Sequence, residues 1–248
     1  MKQLEICVYS LESALTAQAN GADRVELCMG QFEGGITPSM GLIQQVKKHL
    51  TIGVNVIIRP RGGDFVYTPQ EVEVMLTDIE MAKSVGADGV VFGALLPNGA
   101  LDVATCQRLA HAAEGMDMTI HRAFDMSNDL PKALEALIEM GFSRVLTSGG
   151  YNTAPEGMAV LQQLVQQADG RLSIMAGSGV SADNAHDLLM AGIEELHLSA
   201  MHAWDSPMTY QNPQISMGKE GGIPEYTRYG ADGKKVAAVR AIMDQFNQ

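Results

Sequence analysis

Four stretches of this chain read alike: NGADRVEL from Asn20, VGADGVVF from Val85, MGFSRVLT from Met140 and AGIEELHL from Ala191. In each, a glycine ends a helical pattern and a short apolar run follows. Gly21, Gly86, Gly141 and Gly192 sit where a helix C-terminus needs a left-handed residue, so each stretch is a helix-to-strand join. Apolar runs near residues 3 to 9, 23 to 28, 52 to 59, 88 to 92, 116 to 122, 143 to 147, 171 to 176 and 194 to 198 alternate with helical patterns, giving eight βα units. Strict alternation implies a parallel sheet with right-handed crossovers. The repeated join opens strands two, four, six and eight. A two-unit repeat over eight units suits a closed α/β barrel, because closure lets the pairs recur without edges. An open doubly wound sheet is the alternative.

The 248 residues match the roughly 250 of a single (β/α)8 TIM barrel domain. Residues 1–248 are read as that one domain, with no linker or low-complexity segment. Gln70 to Ser84 is a helix with Val74, Met75, Ile79 and Met81 as its apolar stripe, and Leu130 to Met140 is another, with Pro131 early in it. Residues 200–231, after strand eight, form the one long irregular stretch, either a loop over the active face or a small excursion.

A net charge of -12 disfavours nucleic acid and anionic membranes, and no basic run follows a groove. The partner expected is a small molecule or an ion. The chain enters a strand pattern by Leu4, which leaves no room for a signal peptide, and no apolar run is long enough to span a bilayer. Cys7, Cys28 and Cys106 are the three cysteines; an odd number without a framework fits free thiols in the cytoplasm.

Alternation sorts the strand residues by face. Leu4, Ile6, Val8, Val25, Leu27, Val54, Val56 and Ile58 face the helices. Glu5, Cys7, Glu26, Cys28, Asn55, Arg59, Thr119, His121, Met175, His197 and Ser199 then face the lumen. Barrel lumens are ordinarily packed with branched apolar side chains. A buried carboxylate without a partner costs several kcal/mol, so Glu5 and Glu26 must meet Arg59, a histidine or a metal, or hold protons. A self-satisfied salt-bridge network would explain these residues without function. Their convergence at strand C-termini, where barrel enzymes place their chemistry, makes Glu5, Glu26, His121 and His197 candidate acids and bases.

RPRGGDF from Arg59 and HRAFD from His121 follow strands three and five, and with them Arg59, Arg61 and Arg122 become candidate anion ligands. SGG at Ser148, Gly149 and Gly150, and AGSGV with Gly177, Ser178 and Gly179, follow strands six and seven. There, backbone N–H groups could approach a phosphate or carboxylate at a following helix N-terminus, although a glycine pair alone is more often a tight turn. The eight lysines avoid the strand ends, which disfavours Schiff-base chemistry.

Cys7 and Cys28 offer another chemistry. Neighbouring strands lie roughly 4.8 Å apart, so two inward thiolates could share a soft ion such as Cu(I). Inward layers come from alternate strands, however, which staggers the two, and buried cysteine is a common core residue. No zinc spacing is present, and the sixteen methionines form no cluster.

GADRVELC, GGITPS, IRPRGGDF, GADGVVFGAL, HRAFDM and RVLTSGG, in that order, make the chain resemble the CutC family of copper homeostasis proteins over nearly its whole length. The resemblance implies a cytoplasmic (β/α)8 barrel, often a homodimer, that handles copper, with Cys7 and Cys28 as copper ligands and Cys106 as neither. AGSGV departs from the more glycine-rich turn expected after strand seven, which weakens an anion site there. Copper handling would leave the arginines, His121 and the glycine loops unexplained. The competing reading is therefore an acid/base enzyme acting on a small anionic or phosphorylated metabolite, and a third is an anion-binding module without turnover.

Overall fold

The computed structural model describes residues 2–215 and 224–246. Eight parallel strands, β1 (Gln3–Val8), β2 (Arg24–Leu27), β3 (Gly53–Ile57), β4 (Gly89–Phe92), β5 (Asp117–Ile120), β6 (Arg144–Thr147), β7 (Ser173–Ala176) and β8 (Glu195–Leu198), pair in sequence order. β1 pairs with both β2 and β8, which closes the barrel and removes the doubly wound alternative. Eight helices accompany the strands: α1 (Leu11–Ala19), α2 (Met40–His49), α3 (Pro69–Ser84), α4 (Val103–Ala112), α5 (Leu130–Glu139), α6 (Met158–Ala168), α7 (Ala182–Met190) and α8 (Gly233–Asp244).

The repeated join is one hydrogen-bonded motif used four times. Gly21, Gly86, Gly141 and Gly192 have φ of 93°, 81°, 79° and 94°. Gly21 N–H donates to Gln18 O and Ala22 N–H to Ala17 O; the other three joins repeat this pattern, ending with Gly192 to Leu189 and Ile193 to Leu188. Each pair satisfies two carbonyls that the helix end leaves open and turns the chain into the next strand.

α3 starts where Thr68 and Glu71 cap each other's backbone N–H groups ahead of Pro69. Its buried stripe is Val72, Met75, Ile79 and Ala82, not the set read from the sequence. Val74 and Met81 are exposed because they lie about 100° around the helix from their buried neighbours.

The strand faces sort as alternation requires. Leu4, Ile6, Val8, Val25, Leu27, Val54, Val56 and Ile58 belong to the large core between sheet and helices, while Cys7, Cys28 and Ile57 form a separate small cluster inside the barrel. The stretch 200–231, read as irregular, contains β9 (Met201–Asp205) and β10 (Thr227–Ala231), an antiparallel pair tied to α1 by Ala231 N–H donating to Ser13 Oγ. Its residues 216–223 lie outside the described residues.

Candidate functional site

A cavity of about 850 Å³ opens at the C-terminal ends of the strands. It brings together Cys7, Glu26, Cys28, Arg59, His121, Arg122, Ser178, Gly179 and His197 from the sequence-derived candidates. Glu5, Arg61, Ser148, Gly149, Gly150 and Gly177 are not among its lining residues.

Strand register explains the thiol pair. Cys7 stands opposite Glu26, so Cys28 lies two residues, one inward layer, further along the lumen, a larger offset than the single residue expected from barrel layering. The side chains bridge it: the Sγ atoms are 3.6 Å apart, and Tyr9 Oη lies 3.4 Å from Cys7 Sγ. One ligand atom from each of Cys7, Glu26 and Cys28 falls within 4.8 Å of the others. Hydrogen bonding from the Cys28 thiol draws the Cys7 thiol well down, against burial and with help from His197. Burial and the neighbouring Cys7 push Cys28 well up. Burial and the Cys7 charge likewise hold Glu26 well above the usual carboxylate range. The arrangement therefore favours the ionised form at Cys7 over its two neighbours, Glu26 and Cys28, which are shifted towards their protonated forms.

Below the thiols runs a buried chain of charge. Burial alone would raise Glu5, but Arg24 and His197 overcome it and hold the carboxyl well below its ordinary range. His197 Nδ1 lies 2.8 Å from Glu5 Oε1, and His197 Nε2 lies 3.7 Å from Glu26 Oε2. Burial opposes charge on His197, yet Cys7, Glu5 and Glu26 together raise it well above the ordinary imidazole range. Arg24 joins Glu5 to Glu195, and Arg144 continues from Glu195 to Asp117 at 3.1 Å and Thr119 at 3.2 Å. Of the partners expected for Glu5, the histidine is present and Arg59 is not. Arg24, Arg144 and Glu195 went unread, although alternation back from Glu26 and His197 places Arg24 and Glu195 on the same inward face.

The arginines of the loops are held internally. Arg59 donates to the carbonyls of Glu33, Gly35 and Gly63. Arg61 pairs with Asp64 and Glu71 and lies over the Tyr67 ring. Arg122 donates to Asp125 at 2.8 Å and to Ser148 Oγ at 2.8 Å. The SGG loop is not at a helix N-terminus, since α6 begins eight residues later at Met158. Its amides already hold an anion of the chain itself: Ser148 N–H and Gly150 N–H donate to the Asp125 carboxylate, as does Thr147 Oγ1. In the AGSGV loop Gly177 N–H donates to Thr147 O, Ser178 adopts φ 71°, and Ser181 caps α7.

His121 is buried, and its Nδ1 accepts the Ala123 N–H at 3.2 Å. Burial, with the Arg59 charge, lowers its pKa to about 3. At neutral pH it is an uncharged imidazole whose proton sits on Nε2.

Comparison with known proteins accords with this geometry. The CutC family model matches residues 2–202. A family protein CutC of Bacteroides thetaiotaomicron is 50% identical over 236 residues, covering 94% of this chain and 95% of the relative. A human copper homeostasis protein cutC homolog is 46% identical, covering 96% of this chain and 88% of the relative. The crystal structure of a CutC protein from Streptococcus agalactiae superposes with a TM-score of 0.77 at 34% identity, covering 80% of this chain and 99% of that one. A thiamine phosphate pyrophosphorylase from Pyrococcus furiosus, 13% identical with a TM-score of 0.59 over 98% of this chain and 96% of that one, shares the fold alone.

Proposed function

The chain belongs to the CutC family, and from that premise we propose that it binds one Cu(I) ion between Cys7 and Cys28. The 3.6 Å separation of the two sulfurs carries the reading. That spacing would let both sulfurs hold one soft ion. Glu26, with a carboxylate oxygen within 4.8 Å of both sulfurs, would offer a third ligand. Thiolates suit Cu(I), and Cys7 already favours the ionised form. The reading takes the protein to be cytoplasmic, where free thiols stay reduced, and a homodimer.

An anaerobic Cu(I) titration against a competing chelator tests it, run beside Cys7→Ser with Cys28→Ser. Tight one-to-one binding that disappears in the double variant supports the proposal. Binding indifferent to both substitutions removes it.

A second reading is favoured by the size of the cavity, about 850 Å³, which is the scale of an organic ligand's pocket rather than an ion's. In it the protein is an acid/base enzyme acting on a small anionic metabolite. Protonated Glu26 would donate a proton, and His197, oriented through Nδ1 by Glu5, would stabilise negative charge at Cys7 or on the substrate.

A further inference from the structure

Two buried hydrogen-bond donors on residues that line the cavity make no hydrogen bond among the described residues. One is His121 Nε2, the other Arg59 Nε. Ala123 N–H occupies the Nδ1 lone pair of His121, which places the ring proton on Nε2 and makes that atom a donor. Arg59 is buried; Nη1 donates to the carbonyls of Glu33 and Gly35 and Nη2 to that of Gly63, with the Tyr67 hydroxyl also beside the guanidinium. No ion pair among the described residues involves Arg59. Both groups lie against one ring: the Arg59 guanidinium carbon is 4.9 Å from the Phe65 centroid, and the His121 ring is 4.8 Å from it.

We propose that the cavity takes a small organic oxyanion, a carboxylate or a phosphate ester, whose oxygens are received by Arg59 Nε–H and His121 Nε2–H beside Phe65. Donors without acceptors select a ligand rich in acceptors, and the uncompensated arginine charge selects an anion over a neutral carbonyl compound. Ile57, Leu146 and Val180 line the same cavity and supply apolar surface for the ligand's body. His121, being neutral with its proton fixed on Nε2, polarises the bound oxygen and does not protonate it. The inference deepens the second reading above, sharing its pocket and naming its substrate class.

The test is a titration of metal-free, 15N-labelled protein, following the His121 ring nitrogens by NMR. Malonate is the carboxylate probe, methyl phosphate the phosphoryl probe and sodium chloride at equal ionic strength the control. The expected result is a saturable movement of the Nε2 resonance with one of the two probes, tenfold or more weaker in Arg59→Leu. Because Arg59 also ties loops together, His121→Phe, which keeps an aromatic ring beside Phe65, is tested in parallel; it should lose most of the thermal shift the effective probe gives the unaltered protein. If neither probe moves Nε2, if chloride reproduces the movement, or if both variants respond like the unaltered protein, the proposal falls. The measurement reads binding alone, so its failure is separate from an absence of turnover or of Cu(I) binding.

Discussion

Cys7 Sγ lies 3.6 Å from Cys28 Sγ although Cys7 faces Glu26, not Cys28, across the β1–β2 ladder. The contact comes from two inward side chains in successive layers leaning together. It makes the two thiols unequal: the lower one, flanked by Tyr9, Cys28 and His197, is drawn towards the thiolate, while burial and the neighbouring Cys7 push the upper one towards the thiol.

That inequality predicts the order of alkylation. Iodoacetamide added to metal-free protein at neutral pH should modify Cys7 before Cys28. Cys106 should be slowest, because burial pushes its thiol up to about 12 and only the thiolate reacts. Peptide mass spectrometry over a time course reads the order directly. Equal rates at Cys7 and Cys28 would contradict the charge assignment.

Glu5 stands between Arg24 and His197, both buried. Glu5→Gln preserves the shape but removes the charge, leaving His197 with Cys7 and Glu26 and Arg24 with Glu195 alone. Breaking a buried pair from one side typically costs about 3–5 kcal/mol, and urea unfolding should show a loss near the lower end, since Glu195 remains. Alkylation of Cys7 should slow as well, because a weakened imidazolium stabilises the thiolate less. Glu135→Gln, which breaks an exposed pair with Arg171, should leave the midpoint nearly unchanged.

The part of this molecule legible in the sequence is what local rules determine. The four glycine joins announce Schellman turns because that way of ending a helix needs a positive φ just past the C-cap, which glycine reaches without strain. Glu5, Glu26 and His197 were placed in the lumen by alternation alone. The same alternation puts Arg24 and Glu195, two residues before Glu26 and His197, on the inward face beneath them. What local rules cannot supply is the meeting of distant loops. Asp125 follows β5 and Ser148 follows β6, and only the pairing of these two strands brings the carboxylate onto the amides of the SGG turn. The β9–β10 pair gave little signal because most of its residues are half-exposed or exposed on both faces, so neither strand carries an apolar alternation.

Asp125 fixes that turn through Thr147, Ser148 and Gly150, and Arg122 braces the carboxylate from outside. Asp125→Ala removes every one of these bonds. With hydrogen bonds to charged groups worth about 1.5–3 kcal/mol each and partly replaceable by water, the expected destabilisation is about 3 kcal/mol. Amide hydrogen exchange at Ser148 and Gly150 should accelerate markedly, and Asp125→Asn, which keeps one acceptor oxygen, should fall between. Unchanged exchange at both amides would show that the turn holds its shape without the carboxylate.

His121 links the site to acid stability. Its pKa falls from an ordinary value of 6.5 to about 3 in the folded protein. Between those values the unfolded chain binds a proton that the folded chain refuses, so folding stability rises with pH across the window and is lost as pH falls from 6.5 towards 3. The contribution to the slope is at most about 1.4 kcal/mol per pH unit. Above pH 6.5 both states leave the imidazole neutral and the contribution is flat. His121→Phe removes this titration while keeping an aromatic ring beside Phe65. Urea unfolding from pH 4.5 to 7 should therefore show the unaltered protein losing stability more steeply towards acid than the variant. Parallel curves would mean that the imidazole is protonated in the folded protein, and the neutral Nε2–H donor would go with it.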